Sequence, residues 1–280
     1  MIGIIATLVV FGILVTMHEW GHFIVAKRQG VAVERFSIGF GPVLIRYTWH
    51  ETEYAISLIP LGGYVKMAGD EPDPEKIKGE SWEFLSKTPW QKIKIAFAGP
   101  VVNYIFALFI FIFVFLVGFP AYTSKIGDFV EGYPAKASGL ALGDKITKVN
   151  GISVEMWDDL IYELNKLEKT EVVLEYTRGT DVKEIKIDTK KEDRTDIFGK
   201  KTTAYLLGIR PAEEMISKKY GVFQAVSLGT KKLLNLSILT YKSIWMIATG
   251  QMSLKKSITG PIGIAMITGK TAKSGLIHLI

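Results

Sequence analysis

Apolar residues run from Ile2 to Met17 without a charged side chain, and after His22 they resume with Phe23, Ile24, Val25 and Ala26. A helix over residues 1–27 is long enough to cross a hydrocarbon core of about 30 Å. A signal peptide would begin with positive charge and carry a shorter apolar run, so a retained membrane helix is the expectation. Two more apolar blocks follow, a dense Phe/Ile/Val/Leu run over 95–120 and a weaker one over 222–252 that contains Lys231 and Lys232. A final segment, 253–280, opens an apolar stretch at Gly260-Pro261-Ile262-Gly263-Ile264, as though a further crossing were beginning. The intervening chain changes period. Val31, Val33, Phe36, Ile38 and Phe40 alternate up to Gly39-Phe40-Gly41-Pro42, and 54–59 and 64–67 read as strands separated by Pro60, Gly62 and Gly63. Region 28–94 is therefore expected to be a small β region, ending in a polar loop and an interfacial segment with Trp82, Phe84, Leu85, Trp90 and Ile93. The β region could be a plain sheet beside the membrane, or a re-entrant hairpin whose edge pairs with an extended peptide. Residues 121–213 have a soluble pattern, with strands expected at 125–130, 171–177, 182–188 and 205–209 and an amphipathic helix at 157–167.

Charge orients these elements. No Lys or Arg precedes the first apolar block, whereas Lys27, Arg28 and Arg35 follow it. Lys92 and Lys94 precede the second block, and Lys255 and Lys256 follow the third. The positive-inside rule then puts region 28–94 on the cytoplasmic side and region 121–213 outside. Of 280 residues, 48% are hydrophobic and 22% charged, a mosaic of membrane and polar segments rather than one uniform globule. The net charge of +6 comes without a dense basic tract or an aromatic platform, so nothing points to nucleic acid. There is no Cys, which excludes disulfides and thiolate metal sites. Any zinc must be held by imidazole, carboxylate and water.

The candidate chemistry sits near the end of the first apolar block. His18-Glu19-Trp20-Gly21-His22 matches H-E-x-x-H, which puts two imidazoles on one helix face where both can reach one Zn²⁺. Glu19 is then placed as a general base toward the attacking water. Ionisable residues inside a membrane helix are costly, and their default reading is functional. In the second block Gly99, Pro100 and Asn103 interrupt an otherwise simple hydrophobic helix, and packing rather than catalysis is the expected role of all three. Asp144, in a Gly-Asp-Lys turn before an alternating strand, is expected to be a structural cap. A soluble zinc protease with a membrane anchor fits poorly, because residues 122–212 contain no His.

Five motifs occur in order: His18-Glu19-Trp20-Gly21-His22-Phe23, Phe36-Ser37-Ile38-Gly39-Phe40-Gly41, Ile59-Pro60-Leu61-Gly62-Gly63-Tyr64-Val65-Lys66-Met67, Ala98-Gly99-Pro100-Val101-Val102-Asn103 and Gly260-Pro261-Ile262-Gly263-Ile264. Together they resemble bacterial site-2 proteases of the regulator-of-sigma-E type, over nearly the whole chain. The resemblance implies an α-helical multi-pass membrane protein with an inserted β-rich PDZ domain and a membrane-associated β-hairpin, in the bacterial inner membrane with the PDZ domain extracytoplasmic. It implies a Zn²⁺ cofactor, with His18 and His22 as ligands and Glu19 as the catalytic base. The hairpin of Ile59, Pro60, Leu61, Gly62, Gly63 and Tyr64 is implied to hold substrate extended, which favours the re-entrant reading above. Leu207, Gly208 and Ile209 resemble the peptide-binding loop of a permuted PDZ domain. The implied partners are membrane lipid, a single-pass membrane substrate such as an anti-sigma factor or signal-peptide remnant, and an upstream site-1 protease, with the PDZ domain as a size filter. One feature departs from the family: its third zinc ligand is an Asp in a Leu-Asp-Gly motif, and no Asp follows Asp196 here. Truncation of the sequence before that motif is the simplest expectation. The alternative is a catalytically inactive membrane scaffold whose PDZ domain binds peptides.

Overall fold

The computed structural model describes residues 2–70, 78–195 and 201–252, so the 260–264 motif, Lys255, Lys256 and His278 lie outside the described residues. The chain divides into two compact units. One contains residues up to Phe113 together with Leu228–Leu233, and the other is built on Val114–Ser227 and the following part of the last helix.

The first unit opens with α1, Ile2–Arg28, whose last turn carries Lys27 and Arg28 at the negative end of the helix dipole. A Schellman closure ends it: Gly30, at φ 71°, donates to the Lys27 carbonyl and Val31 to that of Ala26. Two long strands follow, β1 (Val33–Trp49) and β2 (Thr52–Met67), joined at His50 and Glu51. Both residues of this turn have positive φ, 43° and 64°, as a two-residue hairpin of the right twist requires.

Sequence patterning placed breaks at 39–42 and 60–63, but these are bends inside continuous strands. Gly39 and Gly41 take φ of 89° and 83°, which lets β1 fold back across its partner. As a result residues 33–38 pair on one side with 63–67 and on the other with 53–56, while 43–49 pair with 52–57. The hairpin is thus a four-segment mixed sheet in the order 43–49, 52–57, 33–38, 63–67, in which 33–38 runs parallel to 52–57 and the two outer pairings are antiparallel, with the first and last segments as its edges among the described residues. Its interior joins small hydroxyls, Ser37 to Ser57 at 3.0 Å and Thr52 to the Val33 carbonyl at 2.8 Å. Along the open edge Leu44, Ile45, Tyr47 and Trp49 are exposed.

Ala26, Val31, Val33, Met67 and Ile95 form the small core where α1 and the sheet meet α2, Pro89–Val117. Thr88 and Gln91 cap α2 reciprocally, Thr88 N–H to Gln91 Oε1 at 3.0 Å and Gln91 N–H to Thr88 Oγ1 at 3.4 Å, with Pro89 at the first helical position. Trp90 and Ile93 belong to the first turns of α2, which begins at Pro89 rather than at 95.

The second unit runs through β3 (Phe119–Tyr122), β4 (Ile126–Phe129), a 3-10 turn (Pro134–Ala137), β5 (Lys145–Val149), β6 (Ile152–Ser153) and α3 (Trp157–Asn165). It continues with β7 (Glu171–Arg178), β8 (Asp181–Asp188), β9 (Lys190–Thr195), β10 (Lys201–Leu206), β11 (Ile209–Pro211) and β12 (Met215–Lys218). The strands form a sheet in the order β6-β5-β7-β8 and three antiparallel pairs, β9 with β10, β4 with β11 and β3 with β12. Leu160 and Leu164, one turn apart on α3, pack into a core with Ile126, Ile146, Val149, Val172, Leu174 and Leu207. The strand expected over 205–209 is broken at Leu207-Gly208, where the chain passes from β10 to β11.

Asp144 is 1% exposed and accepts the Ala141 N–H at 2.8 Å and two bonds from Arg178, from Nε and Nη2, each at 2.8 Å. Burial pushes its carboxyl up, but the Arg178 guanidinium and the Ala141 N–H outweigh burial and hold it below the usual carboxylate range.

The last helix, α4, spans Val222–Ala248. Among the described residues two helices are long and apolar enough to cross a membrane, Ile5–Arg28 and Pro89–Val117. Lys231, Lys232 and Lys242 interrupt the apolar character of α4.

Candidate metal centre

The two histidines of α1 lie four residues apart, and their ring centroids are 4.8 Å from one another in an edge-on arrangement. What they face is α2. The helices approach closely because both present glycine. A Cβ at Gly21 would lie 2.5 Å from the Ala98 carbonyl oxygen. A Cβ at Gly99 would lie 2.5 Å from His22 Nε2 and 2.7 Å from His18 Nε2. Both Nε2 atoms are thus directed at one small space left open by the missing side chain of Gly99.

The opposite nitrogens are engaged. His22 Nδ1 lies 2.7 Å from the Ile95 carbonyl oxygen, a group that can only accept, so the His22 ring donates from Nδ1 and leaves Nε2 as the atom free to bind a metal. Asn103, further along α2, places its side-chain amide 3.3 Å from His18 Nδ1. Ile95, Gly99 and Asn103 are spaced by four residues and form one stripe along the helix. Pro100 lies inside α2 and gives the Ala96 carbonyl no N–H partner one turn on. Gly99 and Asn103 pack against α1 as expected, and the side chains they meet there are the two histidines.

This donor set suits zinc: two imidazoles, nitrogen atoms converging on a common gap, and outer nitrogens engaged by α2. Tetrahedral catalytic zinc sites use three protein ligands and one open position. Among the described residues no group of three His, Cys, Asp or Glu side chains that could hold a metal ion converges. Glu19, beside His18 on the same helix, is half-buried.

The hairpin approaches α1 on the N-terminal side of the pair. A Cβ at Gly12 would meet the Pro60 carbonyl oxygen at 3.0 Å, and one at Gly62 would meet Val15 at 2.9 Å and Phe40 at 3.2 Å. These contacts lie roughly one to two turns before His18. An apolar cavity of about 440 Å³ lies along the same face, lined by Gly12, Thr16 and Met17 of α1 and by Ile38, Pro60 and Gly62.

Ile59 pairs with Phe40 and Gly63 with Ile38, while Leu61 is exposed. Tyr64 pairs with Ser37, stacks on Phe40 at 6.1 Å and accepts a hydrogen bond from Arg35 at 3.1 Å. The candidate hairpin residues are thus gathered beside α1. Leu207, Gly208 and Ile209 belong to the second unit. Leu207 is buried and its carbonyl accepts from Ala135 at 3.0 Å, that of Gly208 accepts from Val130 at 2.8 Å, and Ile209 pairs with Phe129. Gly208 lies directly against the side chain of Tyr133.

Comparison with known proteins agrees with this chemistry. Residues 6–280 match the family described as peptidase family M50. A provisionally named zinc metalloprotease of Clostridium acetobutylicum is 34% identical over 99% of this chain and 77% of its own length. Another, from Staphylococcus aureus, is 29% identical over 100% of this chain and 82% of its own. The regulator of sigma-E protease of Salmonella typhimurium is 37% identical over 81% of this chain and 51% of its own length. Among solved structures, the PDZ domain of an SdrC-like protein from Listeria innocua aligns with 33% of this chain and 96% of its own, at 20% identity and a TM-score of 0.26. The match over almost the entire chain, on a helix that carries H-E-x-x-H, shows that this protein belongs to peptidase family M50, the site-2 protease family of zinc metalloendopeptidases.

Proposed function

We propose that this protein is an intramembrane zinc endopeptidase that cuts a membrane-anchored substrate within or beside its transmembrane segment. The observation that carries the proposal is the convergence of His18 Nε2 and His22 Nε2 on the gap at Gly99, on a helix apolar enough to span a membrane. His18 and His22 hold the metal in this reading, and the third ligand that the family resemblance implies, an Asp in a Leu-Asp-Gly motif, does not occur in this sequence. Zinc, when bound, polarises the scissile carbonyl and acidifies the attacking water. Glu19 takes the proton from that water and delivers it to the leaving amide nitrogen.

A peptide bond inside a helix is shielded by its own turn, so the substrate must be unwound before it can be cut. The folded hairpin supports that step. Among the described residues its 63–67 edge has no strand partner on its outer side, and an extended peptide can add there by main-chain hydrogen bonds. Lys27, Arg28 and Arg35 after α1, and Lys92 and Lys94 early in α2, support a cytoplasmic position for the hairpin and an outer position for the unit built on 114–227. That unit is read as a PDZ-type domain, with Leu207, Gly208 and Ile209 as its peptide loop and access control as its role.

Glu19→Gln tests the assignment. The amide keeps size and polarity but cannot serve as a base. Cleavage of a co-expressed single-pass substrate should fall by about 10²- to 10⁴-fold while zinc content is unchanged. Undiminished cleavage would remove Glu19 from the mechanism.

A further inference from the structure

Asn103 contributes no ligand atom beside His18 and His22, yet its side chain is held against His18. Its Nδ2 stands 3.3 Å from His18 Nδ1, and its Oδ1 is buried without a hydrogen-bond partner among the described residues. The amide can turn by half a rotation and exchange these ends. The imidazole distinguishes the two orientations. If the amide nitrogen donates to Nδ1, that atom holds a lone pair and the ring proton sits on Nε2, the atom aimed at the Gly99 gap. A protonated Nε2 cannot bind a cation. If the amide oxygen faces the ring, it accepts Nδ1–H, and Nε2 presents its lone pair to the gap. That is the tautomer the Ile95 carbonyl imposes on His22 at 2.7 Å.

We propose that Asn103 is a positioning residue, whose side-chain oxygen accepts His18 Nδ1–H and fixes the imidazole in its metal-binding tautomer. The proposal rests on the reading of His18 and His22 as a ligand pair. It gives the stripe along α2 one purpose: the Ile95 carbonyl sets His22, the missing side chain of Gly99 leaves room for the ion, and Asn103 sets His18. Outer partners of this kind carry a measurable share of metal affinity, commonly about 10- to 100-fold. Asn suits an apolar helix because it supplies an acceptor without a charge.

The test uses the full chain in detergent micelles, with zinc affinity read by chelator competition and the histidine rings by ¹⁵N NMR. The sequence has four His, so each ring can be assigned by single substitution. Asn103→Ala should weaken zinc binding by about 10- to 100-fold and leave His18 in mixed tautomers. Asn103→Asp keeps an acceptor and should restore both affinity and the single Nδ1–H tautomer. If the Ala variant fails to fold, Asn103→Asp and Asn103→Ser carry the comparison, with Ser retaining a weaker acceptor and intermediate affinity.

Unchanged affinity and tautomer in the Ala variant would overturn the proposal, as would equal weakening by Ala and Asp. His18→Ala and His22→Ala separate this from the reading beneath it. If they abolish zinc binding while Asn103→Ala does not, only the role of Asn103 fails. If they leave zinc binding intact, the ligand pair itself is wrong.

Discussion

Gly99 shows how much a single absent side chain can determine. A methyl group there would sit within 2.5 Å and 2.7 Å of the two Nε2 atoms, a separation no carbon and nitrogen tolerate without displacement. Gly99→Ala should therefore abolish stoichiometric zinc, measured by metal analysis of purified protein. Hydrogen-exchange protection of β5, β7 and β8 should stay at wild-type levels. Asp144 offers a residue-scale test away from the chemistry. Its folded-state pKa is depressed, so its stabilising contribution is present above the unfolded carboxyl value of about 3.9 and fades as pH falls through the folded value. Arg178→Ala leaves Asp144 buried beside the Ala141 N–H alone. It should cost about 1.5–3 kcal/mol of local stability at neutral pH, read by hydrogen exchange at the ends of β5 and β7. The cost should shrink as pH falls and the carboxyl, which burial pushes up once Arg178 is removed, takes a proton in the variant.

At the scale of elements, the sheet of β1 and β2 works because glycine sits where the strands bend. Gly39 has φ 89°, and a Cβ there would lie 2.9 Å from the carbonyl oxygens of both Ser57 and Ile59. Gly39→Val adds a β-branched side chain at that φ, a strain of about 1–3 kcal/mol before any clash. The expected result is separation of functions, with zinc retained and cleavage of a membrane substrate lost. Loss of zinc together with cleavage would show that the sheet serves the metal rather than the peptide. These elements were unevenly legible in the sequence. H-E-x-x-H is local, so a helix was enough to bring His18 and His22 together. Gly39-Phe40-Gly41-Pro42 carries the signals of a strand end, and only the pairing of 33–38 with two other segments makes it a bend. The stripe of Ile95, Gly99 and Asn103 reads as ordinary packing in an apolar helix until α1 is placed against it. Nothing in the local pattern identifies a backbone carbonyl such as that of Ile95 as the partner of a histidine 73 residues away.

For the whole molecule, the family and the membrane helices together make orientation the property that matters. The sequence lacks Cys, so single cysteines can be introduced as reporters on an unlabelled background. Glu51→Cys in the β1–β2 turn should be shielded from a membrane-impermeant thiol reagent added outside cells, whereas Gly179→Cys between β7 and β8 should react. Equal reactivity at both would contradict the proposed topology. The central claim is that α1 and α2 together build the metal centre, and X-ray absorption at the zinc edge on the loaded, full-length chain tests it most directly. The expected spectrum shows two imidazole nitrogens at about 2.0–2.1 Å, with the signal lost in both His18→Ala and Gly99→Ala. A zinc environment without imidazole, or one unchanged in those two variants, would contradict it.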